Sequence, residues 1–280
     1  MKAIIIGGSG YVGSNLAQLI HAEKVTYFSR NRNATLDSKG VEFIEGNIMD
    51  AEKLMQVLKD YDTVVDCVGQ DYDAEQKLFD LHVNGVKNIV NALKKFDTDQ
   101  RLIFFSSINV HYGTTEFFRT KRTGEDNVAL LKNHLIIRPS FIYGGNDHLT
   151  ADLKKVALSK LRNLPKGGSL SPVHISDLAF VIEAAKDIRG AIDVSSREKI
   201  SFPEAVNELA SALGTKQKRI VSGRFGYKSA LRKFKESGLI HPDNIDRYLL
   251  NSYRENTYLD RFVKEPRKFS DYLASLKVKA

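Results

Sequence analysis

The sequence is poor in the residues that usually announce a special architecture. Its 280 residues include one cysteine, no tryptophan, six prolines and three methionines. A lone thiol, Cys67, excludes an internal disulfide framework and any multi-cysteine zinc site, and it fits a reducing, intracellular setting. No apolar run reaches the 18 residues of a membrane-spanning helix. The first residues, MKAIIIGGSG, reach glycine after three isoleucines, too short an apolar stretch for a secretory leader, so this start reads as mature structure of a cytoplasmic protein. None of the seven histidines falls into H-x-x-x-H or another metal spacing. No serine has the G-x-S-x-G surroundings of a hydrolase elbow. There is no internal repeat, no low-complexity segment and no recognisable nucleic-acid module, so no metal and no nucleic acid is expected.

Charge is present, but unevenly. The net charge is +8, and residues 215–280 hold 16 Lys and Arg against 7 Asp and Glu, leaving the first 214 residues close to neutral. Over the whole segment the basic residues are spread among acids and apolar positions. Such a tail is either a solvated face of helices or a surface for an acidic partner, an anionic membrane or an acidic protein, which would make the protein peripheral to a membrane.

The first half alternates short apolar runs with longer amphipathic ones. KAIIIG (2–7), KVTYFS (24–29), VEFIEG (41–46), DTVVDCVG (62–69) and RLIFFSS (101–107) read as buried strands. SNLAQLIHAE (14–23), DAEKLMQVLKD (50–60) and VNGVKNIVNALKKF (83–96) read as the helices between them, the last with Val83, Val86, Ile89, Val90 and Leu93 at helical spacing. HLIIRPS (134–140) and GAIDVSS (190–196) add two strands. This order predicts an α/β fold, a doubly wound parallel sheet with helices on both faces. The pattern changes after about residue 145, where a helix near 150–163 and PKGGS leave the sheet. VHISDLAFVIEAAKD (173–187) resumes it, and a helix over 201–214 has Ser201 as N-cap, Pro203 in its first turn and Gly214 as its stop. The reading is therefore a domain over 1–145 completed by 173–196, and a small, mainly helical lobe from 146–172 and 197–280 lying over the cleft.

The turn IIIGGSGYVGSNL carries two glycine patterns, Gly8-x-Gly10-x-x-Gly13 and Gly7-x-x-Gly10-x-x-Gly13. Glycines here make the strand-to-helix turn, let the backbone approach a pyrophosphate and allow close helix–strand packing, while the helix N-terminus offers N–H groups to phosphate. A dinucleotide site is the reading. An NAD-specific site usually has Asp or Glu about 20 residues on, for the ribose 2′-hydroxyl. The sequence there is Phe28-Ser29-Arg30-Asn31-Arg32, without an acid, and Ser29, Arg30 and Arg32 can hold a 2′-phosphate. NADP(H) is therefore expected rather than NAD(H).

Several stretches in order, GGSGYVG, GNIMD (46–50), DCVG (66–69), VNGVKNIVNAL, FFSS, the helix of Lys121, RPSFIYG (138–144) and VHISDLA (173–179), resemble the short-chain dehydrogenase/reductase superfamily. The resemblance covers most of the chain and lies in the extended and atypical branches. The short gap between Ser107 and Lys121, followed by KRTGEDNV, is most similar to the NAD(P)H-binding Rossmann accessory subunit family of respiratory complex I.

The resemblance implies that Gly7, Gly10 and Gly13 bracket the pyrophosphate, with Ser9, Tyr11 and Val12 in the turn. It places Arg30 and Ser29 at the 2′-phosphate, and Asn47 and Ile48 at the adenine, with Asn47 replacing the usual Asp. Cys67, Val68 and Gly69 would line the cofactor from the fourth strand, with Ser106 at the end of the fifth. Lys121 would bond the nicotinamide ribose, and Pro139, Ser140, Phe141 and Ile142 would lie by the carboxamide.

The proton-transfer machinery departs from the family. A tyrosine four residues before the lysine normally moves the proton, its pKa lowered by the ammonium. In FFRTK that position is Phe117, which has no proton to give. Read without the family, Phe117 is a core aromatic and Lys121–Glu125 a solvent-exposed pair one turn apart. A helper hydroxyl usually follows the fifth strand; Ser107 can fill it, although the most direct alignment of FFSSIN puts Ile108 there. His111, Tyr112 and Tyr143 are the remaining donors, and His174 and Asp177 are read as fixing the chain's return to the main domain. Three readings follow: a nucleotide binder or redox sensor with little standard dehydrogenase activity; an NADPH-dependent reductase of a quinone or carbonyl substrate with another proton donor; and a nucleotide-sugar epimerase or dehydratase. The small-molecule substrate itself is not named by the sequence.

Overall fold

The computed structural model describes residues 1–71, 77–96 and 99–276; Lys277 and Lys279 of the basic segment lie outside them. The chain forms two compact units, Met1–Pro139 with Leu178–Asp193, and Ser140–Asp177 with Val194–Ala280.

The first unit is built on a parallel sheet. Its strands β1 (Lys2–Ile6), β2 (Lys24–Ser29), β3 (Glu42–Glu45), β4 (Thr63–Asp66), β5 (Arg101–Phe105) and β6 (His134–Pro139) stand in the order β3-β2-β1-β4-β5-β6, and Gly190–Val194 adds a seventh beside β6. Ile5 of β1 faces Tyr27 on one side and Val65 on the other. Ile4, Ile5 and Ile6 are 0–1% exposed, and each buried isoleucine contributes roughly 1.5–3 kcal/mol. The strand order reverses between β1 and β4, the switch point where open α/β sheets bind ligands beyond the strand ends.

The helices of this unit are α1 (Tyr11–Leu19), α2 (Ala34–Ser38), α3 (Ala51–Leu58), α4 (Gly85–Phe96) and α5 (Glu116–Val128). Three details differ from expectation. Helix α1 starts at Tyr11, straight out of the glycine turn, and ends before His21. Helix α2 is an extra element, nucleated by the Asn33 side chain accepting from the Thr35 and Leu36 N–H groups. Helix α4 is preceded by a π-helical turn, Asp80–Asn84, which carries the buried His82.

The second unit holds two short parallel pairs too brief for a sequence period: β7 (Ile142–Tyr143) with β9 (Val173–His174), and β8 (Asn163–Pro165) with β11 (Arg219–Val221). The seventh strand of the larger sheet, Gly190–Val194, is β10 in chain order. Helices α6 (His148–Leu158), α8 (Phe202–Ala212), α9 (Arg224–Glu236), α10 (Pro242–Leu249), α11 (Tyr258–Phe262) and α12 (Phe269–Ser275) complete it, and α7 (Ile175–Ala184) runs from this unit into the first. Ser201 and Glu204 form a capping box at the start of α8, with Pro203 in its first turn. Tyr143, Phe202, Phe234, Tyr248 and Phe269 are the aromatic core of this unit. No helix among the described residues is long and apolar enough to cross a membrane.

Candidate functional site

The glycine turn between β1 and α1 fits a pyrophosphate. Gly7 has φ of +78°, a conformation only glycine adopts without strain, and Gly13 packs so closely that an added Cβ would lie 2.5 Å from the Gly7 carbonyl oxygen. An added Cβ on Gly10 would meet only that same oxygen, at 3.3 Å, so the outer side of the turn is clear. Gly10 is the N-cap of α1, and no side chain caps that end. The helix N-terminus is thus left for an anion. Of the two glycine patterns, this geometry uses Gly7-x-x-Gly10-x-x-Gly13, while Gly8 is tight against Tyr27, whose Cβ would be 2.4 Å from an added one. Ser9, Tyr11 and Val12 lie in the turn or the first turn of α1; the Ser9 carbonyl accepts from Asn33 Nδ2.

At the end of β2, the two arginines have different situations. Arg32 donates to Asp37 at 3.3 Å and lies over the Phe43 ring. Arg30 is exposed and has no ion pair among the described residues. Ser29 is buried and donates to the Asn31 carbonyl, which orders the loop. Asp37, the nearby acid, accepts from both Arg32 and the Tyr27 hydroxyl.

Beyond β3, Asn47 accepts from the Met49 N–H and so shapes its own turn. The Ile48 side chain packs into the core, where it would meet an added Cβ on Gly85 at 2.9 Å, so this residue offers only backbone to a ligand. Beyond β4, Val68 abuts Gly7, and Cys67 is held by the Ile6 carbonyl. Burial pushes the Cys67 thiol well above its ordinary pKa, and the neighbouring Asp66 adds to that, so it is a poor nucleophile.

Lys121 of α5 is the centre of the arrangement. It is 4% exposed, and its Nζ donates to the Phe105 carbonyl at 2.8 Å and the Val68 carbonyl at 3.3 Å, joining the ends of β5 and β4. An added Cβ on Gly69 would lie 3.2 Å from His82 Nε2 and 3.5 Å from Lys121 Nζ. One turn before the lysine, Phe117 is buried with its ring edge-on to His82 (5.7 Å) and to Phe118 (5.2 Å). Thr120 Oγ1 lies 2.9 Å from the Glu116 carbonyl and 2.9 Å from His82 Nδ1, which ties the imidazole to α5.

The exposed Lys121–Glu125 pair read from sequence does not exist. Both residues are buried, and Glu125 instead takes a two-point contact from Arg138 of β6, at 2.9 and 2.6 Å. His111 Nε2 stands 3.8 Å from the same carboxylate, which directs it toward α5. Ser106 is buried with its N–H on the Ile137 carbonyl; the Ser107 carbonyl starts the next turn, and Ile108 is buried with its N–H on the Pro139 carbonyl. Arg122 donates to the Val110 carbonyl through Nε and Nη2, which fixes this loop. Tyr112, at 76% exposure, is the accessible phenol of the loop.

Pro139 ends the first unit, and Ser140, Phe141 and Ile142 begin the second. Ser140 donates to the Leu170 carbonyl, Phe141 packs on Tyr248 at 5.1 Å, and Ile142 pairs with Val173. The Phe141 side chain is thereby committed to the second unit's core. Tyr143 is not an available donor: it is fully buried, its hydroxyl bonds the Arg267 carbonyl, and burial raises its pKa. His174 accepts from Ser176 N–H within its own turn, and Asp177 holds the backbone N–H and guanidinium of Arg267. Among the described residues no cluster of His, Cys, Asp or Glu is placed to hold a metal.

Sequence reading missed His82, Asp66 and the Arg138–Glu125 pair. Asp66 ends β4 with its carboxyl buried, and burial, opposed by Lys121 and the Val68 N–H, pushes it up to about 6. The signal for Asp66 was an acid closing an otherwise apolar strand.

Comparison with known proteins agrees with this construction. The model of the NAD dependent epimerase/dehydratase family matches residues 3–166. The mitochondrial NADH-ubiquinone oxidoreductase 40 kDa subunit of Neurospora crassa is 28% identical over 192 residues, 65% of this chain and 51% of that one; the chain thus spans about half the length of that relative. Two solved structures share the fold: the Bordetella bronchiseptica enzyme WbmH in complex with NAD+ (17% identity, TM-score 0.71, 98% and 95% of the two chains) and the UDP-glucuronic acid 4-epimerase of Bacillus cereus in complex with NAD (16%, 0.71, 98% and 96%).

Proposed function

The chain belongs to the NAD dependent epimerase/dehydratase family and has its NAD-binding fold, and from that premise we propose that it is an NADP(H)-binding member that has given up tyrosine-based proton transfer and uses the dinucleotide as a stabilising or redox-sensing ligand. The observation that carries this is the buried Phe117 ring, sealed against His82 and Phe118 one turn before Lys121. Gly7, Gly10, Gly13 and the N-terminus of α1 would hold the pyrophosphate, and Arg30 the 2′-phosphate, from the loop that the Ser29 hydroxyl orders through the Asn31 carbonyl. Val68, Gly69 and Lys121 would face the nicotinamide end, where the bound nicotinamide supplies or accepts hydride. Lys121 is already oriented by two carbonyls, so it can bind a ribose hydroxyl, but the neighbouring phenylalanine has no proton for it to activate. Residues 215–280 would face an anionic partner, a membrane surface or an acidic protein.

Two other readings each have one observation in favour. The exposed Tyr112 beside His111 gives an NADPH-dependent quinone or carbonyl reductase a proton source at the same loop. The family match favours nucleotide-sugar epimerase or dehydratase chemistry, which needs a base on the sugar hydroxyl that Phe117 does not provide.

Calorimetric titration with NADPH and NADH tests the cofactor site. NADPH is expected to bind at least tenfold more tightly, and Arg30→Ala to remove that margin, since a charge-assisted bond is worth roughly tenfold to hundredfold in affinity. Equal affinity in the parent would return the site to NAD. Binding of neither would leave the glycine turn as scaffold.

A further inference from the structure

The basic segment hides a sharper feature than its overall count. From Leu209 to Lys235 there are eight Lys and Arg and no Asp or Glu. The middle of this acid-free run folds as β11 and then α9. Ala230 and Phe234 of α9 are buried, and Gly226 lies so close to Val221 that an added Cβ would be 2.6 Å from it. The opposite side of the helix carries Phe225, Lys228 and Arg232 at helical spacing. Phe225 is 87% exposed, and Ile220 on the adjoining strand is 37% exposed.

These cations are not consumed by neighbours. Among the described residues Arg219, Arg224 and Lys228 make no ion pair, and Arg232 reaches Glu236 only at 4.0 Å with both side chains exposed. The result is a helix face on which one apolar side chain, Phe225, protrudes among Arg224, Lys228 and Arg232. A nucleic-acid surface would need several aromatic or hydrogen-bonding groups to meet bases, whereas the uncharged polar side chains of this stretch are Ser222, Tyr227 and Ser229. An apolar tip surrounded by Lys and Arg is what an anionic lipid interface takes: the tip enters the acyl boundary and the cations meet headgroup phosphates.

We propose that the outward face of α9 docks the protein on an anionic membrane surface, with Phe225 entering the interface and Arg224, Lys228 and Arg232 facing the lipid headgroups. The inference rests on the reading that residues 215–280 face an anionic partner, and it narrows that reading to one face and one partner.

Co-sedimentation of the full chain with phosphatidylserine-rich and with pure phosphatidylcholine vesicles tests it. Binding to the anionic vesicles alone is expected, weakening as salt rises. Arg224→Gln with Lys228→Gln should lower partitioning about twenty-five-fold, at about fivefold for each cation. Phe225→Ser should lower it about tenfold at every salt concentration, because its share is apolar. All three positions are solvent-exposed, and a thermal melt matching the parent's confirms folding. No binding to anionic vesicles at low salt overturns both this inference and the membrane reading of the segment. Binding that survives all these substitutions leaves a membrane partner for the segment but overturns this face. Binding to a duplex oligonucleotide tighter than to vesicles, and insensitive to Phe225→Ser, overturns the inference in favour of nucleic acid.

Discussion

Phe117→Tyr is expected to create NADPH-dependent turnover of a quinone or carbonyl substrate about 10²–10⁴-fold above the parent, the usual contribution of one positioned acid or base. Three things are already in place for a phenol at that position. Lys121 is one turn away on the same helix face, it is buried, and its ammonium is fixed by the Phe105 and Val68 carbonyls. A nearby positive charge stabilises phenolate and so lowers the tyrosine pKa. The new hydroxyl enters a site lined by His82 and Phe118, and if it found no partner it would cost about 1–3 kcal/mol; a thermal melt therefore accompanies the assay. Lys121→Met in the Phe117→Tyr background should abolish the gain. If the parent already turns over such substrates as fast as the variant, the binder reading fails, and Tyr112→Phe becomes the next variant to assay. Appearance of UDP-sugar epimerisation in Phe117→Tyr, with no carbonyl reduction, would mark the ancestral chemistry as that of the epimerases.

What sequence revealed and what it hid divide along the range of the interactions. The inner strands were legible because burial on both faces makes each an unbroken apolar run such as Ile4-Ile5-Ile6 or Val64-Val65. The edge strand β3, with Glu42 and Glu45 at its ends, was legible only from Phe43 and Ile44 in its place in the alternation. The glycine turn was legible because its chemistry is local: a positive φ at Gly7 and a backbone approach at Gly13 are demands on single residues. Helix α2 was not, since five residues held by one Asn33 cap leave no period to detect. The pairs β7–β9 and β8–β11 are shorter still. The reading of Lys121 and Glu125 as a solvated pair failed for a different reason. Their spacing was right, but Lys121 is taken by carbonyls from two strands and Glu125 by Arg138, partners that only the folded sheet brings within reach. Tyr143 shows the same limit: its place after a strand looked functional, yet Arg267, distant in sequence, takes its hydroxyl.

Asp66 carries the second large effect, and it is one of pH. Its carboxyl is 1% exposed; Oδ1 accepts the Val68 N–H at 2.9 Å, while Oδ2 has no hydrogen bond among the described residues. Burial raises its pKa from 3.8 to about 6, and the Lys121 charge and the Val68 N–H, acting the other way, do not cancel it. The folded chain therefore holds this proton more tightly than the unfolded chain does. Its contribution to stability is fully present below about pH 4 and is lost as pH rises through about 6. Above that, the fold carries an ionised and half-satisfied carboxylate, a penalty of up to roughly 3 kcal/mol relative to a neutral group. Asp66→Asn keeps the Oδ1 acceptor and removes the ionisation. The variant is expected to melt several degrees above the parent at pH 8, at about 2–4 °C per kcal/mol, and the gap should close as pH falls toward 4. The gain is bounded because Lys121 loses an opposite charge. A parent more stable than the variant at pH 8, with the difference shrinking on acidification, would mean that Asp66 is ionised and held by Lys121. The end of β4 would then be a buried ion pair in place of a proton-holding acid.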